Sequence, residues 1–291
     1  MSEKIANLAP DREQLEIFQR LAPAGVEIKW VDSTQSVEDQ ARELEGVNAV
    51  IVTPSAYSVE LARLTPSVRL VQTVSAGTNL IDKQSLGELG ITVSNNGGGN
   101  AISVAEHTMG LLISTVRKLQ LQFNSVRAGT WTSDIRAKWY YQANEIAGKT
   151  VGIIGLGRIG HRVAKRLHGW ECDVIYSDVI TPPDEFLEGL DVTSVSREEL
   201  LRTSDIITLH VPLNAGTFHM ISDAEFEMMK PTAILINACR GPVVDEAALV
   251  RAMQDKKIAA AGLDVTEVEP TPADNPLLEF DNVLITPHMA S

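Results

Sequence analysis

Cysteine is nearly absent: Cys172 and Cys239 are the only two in 291 residues. That excludes a disulfide framework, and their spacing excludes a metal centre, so each reads as a small core residue. No apolar run approaches the ~18 residues of a membrane span. The opening Met1-Ser-Glu-Lys carries no signal-peptide pattern, so the expected compartment is the cytoplasm, with no membrane partner. Positive charge is in deficit, with 25 Lys and Arg against 38 Asp and Glu and a net charge of −13. Nucleic acid is therefore excluded as a main partner, and an anionic substrate has to meet a local cluster of positive charge. Repeats and low-complexity stretches are also lacking. What is present is 44% apolar residues, enough for sizeable cores, at a length that predicts two domains.

The most informative stretch is TVGIIGLGRIG at 150–160. Residues 151–154 read as a buried parallel strand, β-branched and bounded by glycine. Residues 161–168 read as a helix with Val163, Ala164 and Leu167 on one face. Between them lies Gly155-x-Gly157-x-x-Gly160, a dinucleotide fingerprint in its required context. Gly155 makes the tight turn, Gly157 lets a pyrophosphate approach the backbone, and Gly160 packs helix on strand. Arg158 and Ile159 lie in the same turn, whose helix N-terminus offers free N–H groups to phosphate. The next strand, 172–177, ends at Asp178, where an acidic residue roughly 20 positions on should hold the adenosine ribose. Val179 rather than Arg follows it. A carboxylate there repels a 2′-phosphate, so the expected cofactor is NAD.

Strand and helix patterns alternate along the chain. Strands are expected at 5–8, 26–30, 49–53, 70–73 and 91–93, then at 150–154, 172–177, 205–209, 233–237, 258–263 and 283–285. Helices are expected at 13–21 and 37–44, and one long helix at 100–122. This predicts an α/β fold with parallel sheets covered on both faces. Residues 124–147 read as irregular and hold Trp131, Trp139, Tyr140 and Tyr141, either local packing or an arm against a partner subunit.

Three further segments, NACRGPVVD at 237–245, GLDVTEVEP at 262–270 and LITPH at 284–288, join SAGTNLID at 75–82 and LHVPL at 209–213. With these in order, the chain resembles the D-isomer-specific 2-hydroxyacid dehydrogenases over nearly its whole length. The resemblance implies two doubly wound parallel-sheet domains. A flavodoxin-like substrate domain spans 1–98, with 286–291 returning toward it, and a Rossmann cofactor domain spans 99–285. It also implies a homodimer, a small 2-keto or 2-hydroxy acid as substrate, and hydride transfer to or from NAD.

The family pattern places the catalytic groups at Arg240, Glu269 and His288. Arg240 offers a planar, permanently charged fork for carboxylate and carbonyl oxygens. A histidine titrates near neutrality and can give or take the proton. A carboxylate at Glu269 orients that imidazole and supports the imidazolium; Glu267 competes for the role, and the register before Pro270 favours Glu269. Backbone N–H groups of Ser75, Ala76 and Gly77 are expected to hold the substrate carboxylate, and Tyr57 to line the substrate pocket. By family analogy, Asp264 accepts from the nicotinamide carboxamide, Pro212 and Thr217 line the cofactor cleft, and Val104 sits near the nicotinamide. Asp245 reads as a helix N-cap. His107, His161, His168 and His219 receive no chemical role, and His210 reads as structural.

Two departures from the family stand out. Members usually continue past the histidine into a helix that returns to the first domain, whereas three residues follow His288 here. Phosphoglycerate dehydrogenases within the family carry basic residues near the carboxylate loop, whereas 53–57 and 74–77 hold neither Lys nor Arg. The expected substrate is therefore small and non-phosphorylated, of the glyoxylate or hydroxypyruvate type. Glu269 argues against formate oxidation, whose enzymes carry Gln there. Phosphite oxidation and an NAD(H)-sensing corepressor-like role are the alternatives.

Overall fold

The structure, a computed structural model, describes residues 4–52, 57–78, 80–134 and 144–291. Trp139, Tyr140 and Tyr141 lie outside the described residues; Trp131 is exposed. The chain forms two compact units, Met1–Asn100 and Ala101–Ser291.

In the first unit, β1 (Lys4–Ala9), β2 (Glu27–Asp32), β3 (Ala49–Val52), β4 (Leu70–Thr73) and β5 (Thr92–Ser94) make one parallel sheet in the order β2-β1-β3-β4-β5. That is the flavodoxin-like order. Alternation along the strands puts Ala6, Leu8, Val31, Val50, Val52 and Val71 into one core. The helix Val37–Glu43 starts where Ser36 accepts from the Asp39 N–H at 3.2 Å, satisfying one orphan donor of its first turn.

The second unit holds a seven-stranded parallel sheet. Its strands are β6 (Thr150–Ile154), β7 (Asp173–Ser177), β8 (Thr193–Ser194), β9 (Ile206–Leu209), β10 (Ile234–Asn237), β11 (Ala260–Leu263) and β12 (Val283–Ile285). Their order, β12-β11-β10-β9-β6-β7-β8, reverses direction at β6, as in a Rossmann domain. All six expected strands are present. β8 was not expected: its two exposed residues, Thr193 and Ser194, carry no apolar pattern. The helix Gly160–Leu167 buries Val163, Ala164 and Leu167, the three expected residues. Burying a Val or Leu side chain is worth about 1.5–3 kcal/mol, enough to seat this short helix on the sheet. Gly152 lets the helix Arg197–Thr203 approach; a Cβ there would lie 2.2 Å from Ser204 Oγ.

Three expectations require correction. The long helix 100–122 is two helices, Ala101–Arg117 and Leu119–Arg127, broken at Lys118 with φ +54°. The Val116 carbonyl accepts the Asn144 N–H and the Arg117 carbonyl accepts the Gln122 amide, so two helix-terminal acceptors are satisfied from outside. Residues 286–291 group with the second unit, because the Asp264 carboxylate accepts the N–H groups of Met289 and Ala290.

Tyr57 does not line a pocket. It is 1% exposed within the first unit's core, and its hydroxyl hydrogen-bonds to Thr65. Burial pushes its phenol up despite that bond. Tyr57→Phe should therefore act on stability, lowering it by about 1 kcal/mol, the typical net value of one hydrogen bond. Urea denaturation followed by circular dichroism checks this; an unchanged midpoint would show the hydroxyl idle.

Candidate active site

The loops that leave β6, β7, β9, β10, β11 and β12 at their C-terminal ends carry nearly every residue singled out from the second half of the sequence. The three fingerprint glycines have distinct surroundings. Gly155 has φ +93°, and a Cβ on it would meet the His210 carbonyl oxygen at 2.5 Å. Gly160 faces the Gly155 carbonyl, 2.0 Å from where its Cβ would be. Nothing lies within 4 Å of the Gly157 position, leaving its backbone open on that side. Turn, close packing and open approach thus fall on the glycines expected to supply them. Arg158 is exposed and Ile159 half-buried at the helix start. Asp178, at the end of β7, accepts the Leu156 N–H at 2.8 Å and the Ile180 N–H at 3.0 Å. Its carboxylate therefore closes on the glycine loop while remaining exposed. After β9, Thr217 donates to the Pro212 carbonyl at 2.6 Å and accepts the Asn214 N–H at 2.9 Å, folding 212–217 into a closed loop.

Arg240 follows β10. Its Nη1 donates to the Cys239 carbonyl at 2.6 Å. Asn237, fully buried, braces this turn: its amide donates to the Arg240 carbonyl at 3.0 Å and its oxygen accepts the Cys239 N–H at 3.0 Å. At Gly241 an added Cβ would lie 1.8 Å from the Thr266 carbonyl oxygen. Only glycine lets the Arg240 loop and the loop after β11 abut.

The loop after β11 carries both candidate glutamates, and the structure separates them. Glu269 Oε2 pairs with His288 Nδ1 at 2.7 Å, while its Oε1 accepts the Thr266 N–H at 3.2 Å. Glu267 instead pairs with His219 Nε2 at 2.7 Å and accepts the Glu246 N–H. Glu267 thus joins the loop after 212–217 to the helix Glu246–Gln254, whose N-cap is Asp245 as expected. With Nδ1 engaged by the carboxylate, Nε2 is the ring nitrogen of His288 that lies clear of Glu269. His288 has φ +54°, and its N–H donates to the Asp264 carbonyl at 2.8 Å.

Asp264 is enclosed by donors of its own unit. It is 1% exposed. Its carboxylate takes Thr286 Oγ1 at 2.6 Å, the Met289 N–H at 3.0 Å, the Ala290 N–H at 2.9 Å and His107 Nε2 at 3.2 Å. Its side chain thereby anchors the 286–290 segment. Val104, buried, lies one turn before His107 on the same helix. The residues that sequence reasoning missed are Asn237, His107 and Thr286. Asn237 and Thr286 lie inside motifs already singled out, whereas His107 lies in none, and its partner Thr286 is distant in sequence.

In the first unit, the carbonyls of Ser75, Ala76 and Gly77 accept from Thr73 Oγ1, Asn95 Nδ2 and Ser75 Oγ respectively. The loop's acceptors are thereby occupied internally.

Cys239, beside Arg240, is buried, and burial pushes its thiol up to about 11. A thiol raised in the folded state stabilises the fold while protonated. That contribution is complete below the unfolded value near ~8.5 and is lost as pH rises toward about 11. Burial also raises Cys172, followed by the Asp173 charge. Thiol-reagent titration at pH 8 should label Cys239 only after unfolding; rapid labelling of Cys239 in the folded protein would contradict its burial.

Comparison with known proteins agrees with this geometry. Residues 109–290, more than half of the chain, match the model for the NAD binding domain of the D-isomer specific 2-hydroxyacid dehydrogenases. A D-3-phosphoglycerate dehydrogenase from Archaeoglobus fulgidus is 37% identical over 99% of this chain, which spans only 53% of that protein. A glyoxylate reductase from Thermofilum pendens is 36% identical over 90% of this chain and 76% of its own length. Among solved structures, an NADPH-dependent glyoxylate/hydroxypyruvate reductase from Sinorhizobium meliloti, in complex with NADP and malonate, superposes with a TM-score of 0.85. It is 30% identical, over 100% of this chain and 88% of that one. With its glycine loop, its paired His288 and Glu269 and these likenesses, the chain belongs to the D-isomer specific 2-hydroxyacid dehydrogenase family.

Proposed function

We propose that this protein reduces a small, non-phosphorylated 2-keto acid to its D-2-hydroxy acid with NADH. The observation that carries the reading is the 2.7 Å contact of His288 Nδ1 with Glu269, in a unit whose first strand runs into an open glycine loop. NADH, when bound, supplies the hydride. Arg240 binds the substrate's carboxylate and carbonyl oxygens and polarises the carbonyl. His288 donates the Nε2 proton to the carbonyl oxygen, and Glu269 stabilises the imidazolium and fixes the ring's orientation. In the oxidative direction the same nitrogen takes the proton back. We assign Ser75, Ala76 and Gly77 to the substrate carboxylate. Gly155, Gly157, Arg158, Ile159 and Gly160 are assigned to the pyrophosphate, Asp178 to the adenosine ribose, and Pro212, Thr217 and Val104 to the remainder of the cofactor.

NAD is favoured over NADP because an exposed carboxylate, Asp178, follows β7, and the next residue is Val179, which cannot pair with a 2′-phosphate. The absence of Lys and Arg from 53–57 and 74–77 favours a substrate without phosphate. We further propose a homodimer. Its support is the apolar exposure of Leu119, Phe123 and Val126 along the helix Leu119–Arg127, a kind of patch that marks interfaces. No described helix is long and apolar enough to cross a membrane. The two free cysteines favour a reducing compartment, the cytoplasm.

Oxidation of NADH and NADPH should be measured against glyoxylate, hydroxypyruvate, pyruvate, phenylpyruvate and 3-phosphohydroxypyruvate. Turnover with NADH on a non-phosphorylated acid is expected. A preference for the phosphorylated acid would refute the substrate assignment, and NADH binding without any turnover would favour the sensing role.

Arg240→Gln should lower kcat/KM by about 10²–10³-fold, the usual cost of one preorganised charge-stabilising group. Glu269→Gln should lower kcat more than Glu267→Gln, since only Glu269 touches His288. Equal losses at the two glutamates would remove the special role of Glu269. Light scattering at known concentration tests the dimer.

A further inference from the structure

His107 lies in the middle of the helix Ala101–Arg117, and its ring nitrogen Nε2 sits 3.1 Å from Thr286 Oγ1 and 3.2 Å from Asp264 Oδ1. Thr286 has one hydroxyl proton. Its shortest contact is 2.6 Å to Asp264 Oδ1, against 3.5 Å to the Leu263 carbonyl, so the proton goes to the carboxylate. The Thr286 oxygen then faces His107 with a lone pair, and His107 Nε2 must be the donor. The same N–H reaches Asp264 Oδ1. Asp264 is thereby surrounded by donors from the helix, from Thr286 and from the backbone of Met289 and Ala290. Its own carbonyl holds the His288 N–H. A fully buried carboxylate that loses one of few donors is strongly destabilised, by the uncompensated charge rather than by the lost contact alone. The segment bound to that carboxylate is the irregular one, 286–290, which carries His288.

We propose that His107 is a positioning residue for His288: its Nε2–H, through Thr286 and Asp264, ties the 286–290 segment to the helix Ala101–Arg117 and thereby sets where the His288 imidazole stands. This assignment rests on the reductase reading for its kinetic consequence, though its structural content does not. A static partner in a core changes stability alone. A positioning residue changes turnover of the folded protein, because a displacement of about 1 Å at a reacting group can cost on the order of 10²-fold.

The test uses the whole chain and three variants, His107→Ala, His107→Gln and Thr286→Val. In His107→Ala, kcat should fall by about tenfold or more with KM for NADH little changed. The shape of the pH profile should persist, since His288 and Glu269 are still present. His107→Gln, whose amide can donate in place of Nε2–H, should restore most of the loss. Thr286→Val removes the hydroxyl from between His107 and Asp264 but leaves their direct 3.2 Å contact, so it should lower kcat in the same direction by less than His107→Ala, which keeps the test open if His107→Ala fails to fold. Unchanged kcat in folded His107→Ala or in Thr286→Val overturns the proposal, as does an equal loss in His107→Gln.

A second readout needs no turnover. In a long-range 1H–15N spectrum of the six-histidine protein, His107 should carry its proton on Nε2. The His288 ring signals should shift in His107→Ala and return in His107→Gln. A bare Nε2 on His107, or His288 signals indifferent to both variants, overturns the proposal. If no keto acid is turned over by the unaltered protein, these spectra still decide it, so its failure is separate from failure of the reductase reading.

Discussion

A carboxylate removed from water must be met by donors, and the second unit is organised around that requirement at Asp264. The residue is 1% exposed, and an ionised group so placed costs several kcal/mol unless its oxygens are filled. The side chains of His107 and Thr286 and the backbone of Met289 and Ala290 fill them. Meeting that demand fixes the path of the chain from Thr286 to Ala290. His288 sits inside this path in a left-handed conformation that non-glycine residues rarely adopt. Its own N–H is held by the carbonyl of the same aspartate.

The parallel sheet supplies the second constraint. All strands point the same way, so every loop at their C-terminal ends emerges on one edge. β6 delivers the glycine turn, β7 Asp178, β9 the closed loop 212–217, β10 Arg240, β11 Asp264 with Glu269, and β12 His288. The loops are brought into register by close backbone approach rather than by long side chains. Gly155 lies against His210, Gly241 lies against Thr266, and a Cβ at either would collide with a carbonyl oxygen. Steric necessity of this kind is what makes glycine spacing informative in a sequence.

What was legible in the sequence follows from the same physics. The fingerprint, the strands and the buried face of the helix Gly160–Leu167 are local patterns, written in glycine position and apolar period. Asp245 was readable as a cap because a cap is satisfied three residues away. Tyr57 was misread because its position after β3 says nothing of its surroundings, which are decided by the core around Leu8, Val52 and Leu61. The break at Lys118 depends on Asn144, which satisfies a helix carbonyl from well beyond the helix. His107 looked like any histidine on an amphipathic helix. Its partner Thr286 is 179 residues away, and no period or spacing reports a hydrogen bond closed over that distance. Glu267 and Glu269 could be ranked only by register before Pro270; their partners, His219 and His288, separate them.

The His288–Glu269 and His107–Asp264 contacts differ in what they contribute. His288 and Glu269 are 41% and 36% exposed along their side chains, and an exposed pair is worth about 0–1 kcal/mol. It cannot be what holds the 286–290 segment in place. The buried contacts of Asp264 do that, and they leave Nε2 of the His288 ring clear of Glu269, which engages its other nitrogen. In the proposed reaction, anchoring and support of proton transfer therefore fall to different carboxylates, five residues apart on one loop. Replacing either would fail in its own way. Loss of Glu269 leaves a placed but unoriented imidazole, and loss of Asp264 leaves an oriented pair on a segment without an anchor. A site built this way keeps the group proposed to transfer the proton near water without relying on that group's weak ion pair for its geometry.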